Sequence, residues 1–193
     1  MYARVVSEKS AAQQRRFEAA LMELMEENLF ENISISELCR RTGLSRKTFY
    51  RLYDAKADVV YAMIDHAIMD TDAFVPDASV GPGGMHHFLA YWKSRKQFLD
   101  VLAKNRISAL LSQQAILLVL NEEPGIVNCF AAGSSDIRKE LVTFCISGLF
   151  SLVLDWHKRG YDRSIDEMSR ILMEVVMTAP VKEPLIANIY KRN

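Results

Sequence analysis

Glycine and proline are scarce: the 193 residues include eight Gly and five Pro. A fold made of many tight hairpins needs more of both. The shortage favours long helices over a many-turned β architecture. Cysteine is also scarce. Cys39, Cys129 and Cys145 make an odd count with no C-x-x-C pair. That excludes a dense disulfide framework and suits a reduced, intracellular setting. There is no excess of charge of either sign, since 24 Lys and Arg meet 24 Asp and Glu. A uniformly basic nucleic-acid coat is excluded.

Long apolar runs are missing too. The most apolar stretch, Leu141 to Trp156, is interrupted by Thr143, Ser147, Ser151 and Asp155. It falls short of the roughly 20 residues that a membrane span requires. The first ten residues carry Arg4, Glu8 and Lys9 and no apolar core of a leader peptide. A soluble cytoplasmic protein is expected, with no membrane partner. Half of the residues are hydrophobic and a quarter are charged, so a sizeable core is within reach.

Catalytic signatures are equally absent. The chain has no G-x-S-x-G, phosphate loop, H-E-x-x-H or glycine-rich dinucleotide turn. Asp155 and His157 lie two apart and face different sides of a helix. His86 and His87 are adjacent, so on a helix they point about 100° apart and do not share one ion. No catalytic residue, no metal and no cofactor is expected, and the chain does not read as an enzyme.

What is present is helical period. Phe17, Ala20, Leu21, Leu24 and Met25 lie on one face of a helix spanning Gln13 to Asn28. Ser34-Ile35-Ser36-Glu37 is a capping box opening a short helix to Arg41, which Gly43 ends. Ser45 caps a helix from Arg46 to Tyr53. Asp54 caps a longer one from Ala55 to about Phe74. The stretch Pro76 to Gly84 reads as a loop or joint. Helices follow over Met85–Arg95, Lys96–Lys104, Arg106–Asn121, Asp136–Arg159 and Ser164–Thr178. The last opens on a second capping box, Ser164 to Glu167. The fold class is all-α, with a small head over residues 1–56 and a larger helical body over 57–193.

The neutral total conceals one asymmetry. Between Arg40 and Lys56 six positive residues face one negative, Asp54, leaving the rest of the chain acidic. These charges fall on two short helices joined by Thr42-Gly43-Leu44-Ser45, the helix-turn-helix layout. Leu38, Cys39, Leu44, Phe49 and Leu52 lock the pair inward. Arg46, Lys47, Thr48, Tyr50 and Arg51 lie on the outer face of the second helix. A helix so decorated fits the major groove of double-stranded DNA.

The segment closely resembles the DNA-binding head of TetR/AcrR-type transcription regulators. The resemblance rests on Phe17, Ala20 and Leu21, the Ser34–Glu37 start, Gly43-Leu44-Ser45, Thr48-Phe49-Tyr50, Tyr53 and Lys56, over about 50 residues. Leu52 and Lys47 depart from the commonest pattern. The body resembles the family only in its two long final helices, with Trp156 and Gly160 closing the first. The resemblance implies a TetR-like architecture of about nine helices. It also implies a homodimer on a near-palindromic operator and, most commonly, a repressor released by a small molecule. Tyr50 and Lys56 would touch phosphates. Ser34, Ser45 and Thr48 would donate to phosphates or bases, and Arg46 and Lys47 would read guanine edges.

In the body, aromatic and isolated polar side chains suggest a cavity for an unspecified small-molecule effector. Phe88, Tyr91, Trp92, Leu110, Gln113, Gln114, Phe144 and Ser147 are the expected lining. Leu141 to Trp156 is apolar nearly all round, which asks for cover on more than one face. Leu149, Val153, Trp156, Ile171 and Val175 are the expected dimer contacts. A helical adaptor that uses the head for protein contacts is the rival reading, and it predicts no salt-dependent duplex binding.

Overall fold

The computed structural model describes residues 7–70, 82–121 and 138–178, apart from the side chains of 82, 138, 141 and 175–178. Among the described residues there are nine α-helices and no strand. They are α1 (Glu8–Glu27), α2 (Ile35–Thr42), α3 (Arg46–Leu52), α4 (Lys56–Met69) and α5 (Pro82–Ser94). The chain continues with α6 (Lys96–Lys104), α7 (Ala109–Asn121), α8 (Arg138–Lys158) and α9 (Ile165–Thr178). A short 3-10 turn, Phe30–Asn32, forms the corner between α1 and α2.

Local chemistry sets most ends. Ser7 caps α1, which starts at Glu8, five residues before the expected start at Gln13. Asn28 ends it. Both capping boxes form at their serines: Ser34 Oγ accepts from Glu37 N at 3.1 Å and Ser164 Oγ from Glu167 N at 3.2 Å. In the second, Glu167 reaches back to Ser164 N at 2.8 Å, which lowers its carboxyl below the ordinary range.

The starts of α4, α5 and α7 also differ from expectation, α7 beginning at Ala109 and not at Arg106. Asp54 does not cap α4. The carboxylate of Asp58 accepts from the N–H groups of Asp54 and Ala55 at 3.0 and 2.9 Å, satisfying the helix start from inside the first turn. α5 begins at Pro82, not Met85, because proline fits the first helical position, where its missing N–H costs nothing. The expected loop residues 76–81, the end of the expected helix at Phe74, Cys129 and the segment 122–137 lie outside the described residues.

α1 packs on α2, α4 and α6, and α4 packs on both α1 and α7. α8 lies along α7, while α9 packs on α5. One continuous core runs through the described residues. Its head section is an aromatic stack: Phe17 meets Phe49 edge-on at 5.4 Å and Tyr53 at 6.1 Å. Its body section centres on Trp92, Phe88 and Phe150, with ring centroids 5.3–6.4 Å apart. No helix among the described residues is long and apolar enough to cross a membrane.

Candidate nucleic-acid interface

The turn between α2 and α3 is built from within. Gly43 sits at φ +66°, the left-handed conformation that glycine tolerates best. The next amide, Leu44 N, reaches back to Cys39 O at 3.2 Å, ending α2 in a Schellman-type closure. Thr42 is buried, and its hydroxyl donates to Leu38 O at 3.0 Å while accepting from Leu44 N at 3.3 Å. Arg16 on α1 donates to Thr42 O, so a helix outside the motif secures its turn. Cys39 is buried at the approach of the two helices, and that burial raises its thiol.

Ser45 caps α3 by accepting from Thr48 N at 3.1 Å. From there the helix divides cleanly. Phe49 and Leu52 are buried in the head core. Arg46, Lys47 and Tyr50 are exposed, Tyr50 by half of its surface, and Thr48 is half-buried. Arg46 is held in place: it donates to Ser36 Oγ on α2 at 2.9 Å, and its guanidinium lies 5.9 Å from the centre of the Tyr50 ring. Sequence reasoning missed Ser36 as a partner. Its neighbour Ser34 carried the capping signal, and nothing in the spacing paired residue 36 with 46.

Two expected DNA contacts point elsewhere in this structure. Arg51 turns toward α1, donating to Ser10 Oγ at 3.0 Å and to Gln13 Oε1. Lys56 turns under the 3-10 corner. Its ammonium donates to the carbonyls of Phe30, of Ile33 at 2.6 Å and of Glu31 at 3.4 Å, above the Phe30 ring. Burial pulls Lys56 below the ordinary lysine value, with Glu31 opposing. Eight residues of sequence separate Ser45 from Asp54, and periodicity in so short a span does not distinguish an outward arginine from one leaning on α1.

The expected effector residues are only partly brought together. Phe88 and Trp92 cluster on Phe150, with Trp92 and Phe150 5.3 Å apart, and Tyr91 packs edge-on against Trp92. Tyr91 is occupied: its hydroxyl donates to Ala67 O on α4. Phe144 stands six residues from Phe150, about 120° away around α8. It faces outward at 71% exposure. Gln113 is exposed as well, and Leu110, Gln114 and Ser147 are half-buried. Two clefts lined by described residues lie elsewhere. One, of about 690 Å³, runs between α5 and α9 past His86, Asp166 and Met173. The other, of about 410 Å³, runs between α1, α4 and the α5–α6 corner.

The expected dimer residues Leu149, Val153 and Trp156 are buried within this chain. Trp156 stacks edge-on against Tyr161 at 4.9 Å and donates its indole N–H to Arg163 O at 3.2 Å. Burial pushes the Tyr161 phenol up to about 12. Ile171 is half-buried, and the side chain of Val175 lies outside the described residues. The outward stripe of α8 is instead Thr143, Phe144, Gly148, Ser151 and Asp155. A Cβ at Gly148 would meet nothing within 4 Å.

His86 pairs with Asp166 at 3.2 Å, and among the described residues no group of His, Cys, Asp or Glu is arranged to hold a metal.

No protein-family model matches the sequence, and no curated protein is similar to it. Solved structures do match its fold. A TetR-family transcriptional regulator from Streptomyces coelicolor superimposes with a TM-score of 0.52 at 17% identity, covering 92% of this chain and 89% of that one. The dihydroxyacetone kinase operon activator DhaS superimposes with a TM-score of 0.51 at 15% identity, covering 85% of this chain and 93% of that one. The chain therefore has the all-α fold of a TetR-family regulator, a helix-turn-helix head on a helical body.

Proposed function

We propose that this chain is a sequence-specific DNA-binding transcriptional regulator, a repressor released from a near-palindromic operator by a small-molecule effector. It works as a homodimer, with residues 1–56 as the DNA-binding head and 57–193 as the regulatory and dimerisation body. The observation that carries the reading is the division of α3. Phe49 and Leu52 anchor it in the head core, while Arg46, Lys47 and Tyr50 stand outward beside a capped N-terminus. Helix N-termini, arginine and lysine are the groups that phosphates and guanine edges attract. Both neighbours in fold are described as regulators of transcription, one by family and one as an operon activator, which supports the same reading.

Arg46 and Lys47 read base edges in this proposal. Ser34, Ser45, Thr48 and Tyr50 serve the phosphates. Arg51 and Lys56 act at one remove, by fixing α3 and the 3-10 corner. The dimer surface follows the outward stripe of α8 around Phe144 and Gly148, continued by α9. The two heads must then match successive major grooves about 34–36 Å apart. α4 packs on α1 and on α7, so it is the element through which the body sets head spacing.

The deciding experiment is duplex selection from a random pool, followed by fluorescence anisotropy across a salt series. Specific, salt-dependent binding of two half-sites per dimer is expected. Absence of any retained duplex at low salt would favour the adaptor reading.

A further inference from the structure

The smaller cleft lies where head, α4 and body meet, and its charges are arranged unusually. Asp70, at the end of α4, sits between two guanidiniums from different segments. Arg15 on α1 approaches one carboxylate oxygen at 3.5 Å, and Arg95 at the α5–α6 corner approaches the other at 3.6 Å. Both contacts are long and all three side chains are substantially exposed, so the pairs hold Asp70 weakly. Each arginine offers Asp70 only one nitrogen at long range, so neither pair is bidentate, and the other terminal nitrogen of Arg15 meets Glu18 at 3.5 Å. Arg95 is pre-oriented by the Tyr91 ring, 5.1 Å from its guanidinium carbon. Below the arginines the cleft is lined by Met22, Met63 and Phe98, of which the last two are buried.

We propose that this cleft binds a small amphipathic monocarboxylate, whose carboxylate replaces Asp70 between Arg15 and Arg95 while its apolar body lies on Met22, Met63 and Phe98. The volume of about 410 Å³ falls within the range of small-molecule sites. The methionines suit an apolar guest of variable shape, because thioether side chains adapt their rotamers. The charge balance selects a single negative group. Glu18, which pairs with Arg15 at 3.5 Å and with His66 at 2.9 Å, lines the same cleft, and Asp70 stays close after displacement. A doubly charged phosphate would meet both. The site belongs to α1, α4 and α6 together, so an occupant bridges the head and the body.

The test is calorimetric titration of the full chain, without DNA, with octanoate and with octanol as the uncharged control. One saturable octanoate site per chain is expected, with octanol about tenfold weaker or more. Arg95→Gln should weaken octanoate by a similar factor and leave octanol unchanged. Asp70→Asn removes the internal competitor and should tighten octanoate. Met22→Trp should fill the cleft and abolish binding. Lack of saturable octanoate binding, equal affinity for octanol, or binding indifferent to Met22→Trp overturns the proposal. Should Arg95→Gln fail to fold, Asp70→Asn still decides, since unchanged or weaker binding there overturns it as well.

Discussion

The backbone N–H of Phe30 donates to Asn105 Oδ1 at 2.6 Å, so the last residue of the α6 turn holds the corner that follows α1. The amide nitrogen of Asn105 donates to Val101 O at 2.8 Å and to Met25 O at 3.3 Å. From the opposite side, Lys56 binds the carbonyls of Phe30 and Ile33. The 3-10 corner is therefore clamped between a body residue and the first residue of α4. Any movement of α6 against α4 must break or carry this clamp.

Asn105→Ala should destabilise the chain by about 1 kcal/mol, since it leaves a partly buried amide without its acceptor. Lys56→Ala should do likewise. Because the two share one corner, their effects should couple by about 0.5 kcal/mol or more in a double-mutant cycle. Urea unfolding of the two single variants and the double variant checks this, and strict additivity would separate the two contacts.

Lys47 and Arg51 should fail differently. Lys47→Ala removes an exposed charge and should leave the unfolding midpoint unchanged while weakening duplex binding by about 1–3 kcal/mol. Arg51→Ala breaks its bonds to Ser10 and Gln13 and should lower stability by about 1 kcal/mol. Its effect on DNA should be the same for every sequence. Thermal unfolding and anisotropy on matched and mismatched duplexes distinguish the two.

The two faces of α8 should also separate. Leu149→Lys places a charge in the core and should unfold the protein, seen as loss of circular dichroism. Phe144→Ser lies on the outward stripe and should give a folded monomer in sedimentation velocity. A Phe144→Ser variant that sediments like wild type at micromolar concentration would remove this residue from the dimer surface.

Asp100 gives a pH signature. The hydrogen bond from Lys96 holds its carboxyl below the usual range, opposed by burial and helped by the hydrogen bond from His157. A depressed native value contributes stability above the unfolded value that is lost as pH falls through the native one. Wild type should thus lose more stability than Asp100→Asn on acidification below the ordinary carboxylate range. The difference should be under about 1 kcal/mol, because the carboxylate is half exposed. Paired chemical denaturation at neutral and acidic pH measures it.

The elements of this protein were determined by its sequence alone. Ser34, Gly43, Ser45 and Ser164 act on amides within a few residues, so their spacing announced where α2, α3 and α9 begin or end. The buried face of α1 and the inward residues of the helix-turn-helix followed from helical period in the same way. Which side chains point outward was decided only in three dimensions. Arg51 and Lys56 carry the same charge as Lys47, yet partners 41 and 26 residues away bind them to other parts of the head. Leu149 and Val153 look as available for a partner as Phe144 does, until packing on α7 covers one face of α8 and leaves the other open. The Arg15–Asp70–Arg95 cluster joins segments 55 and 25 residues apart, a pairing no local pattern records. Caps and periods act over one or two turns of helix, whereas charge placement depends on which helices meet, and that is settled by burial of the whole core.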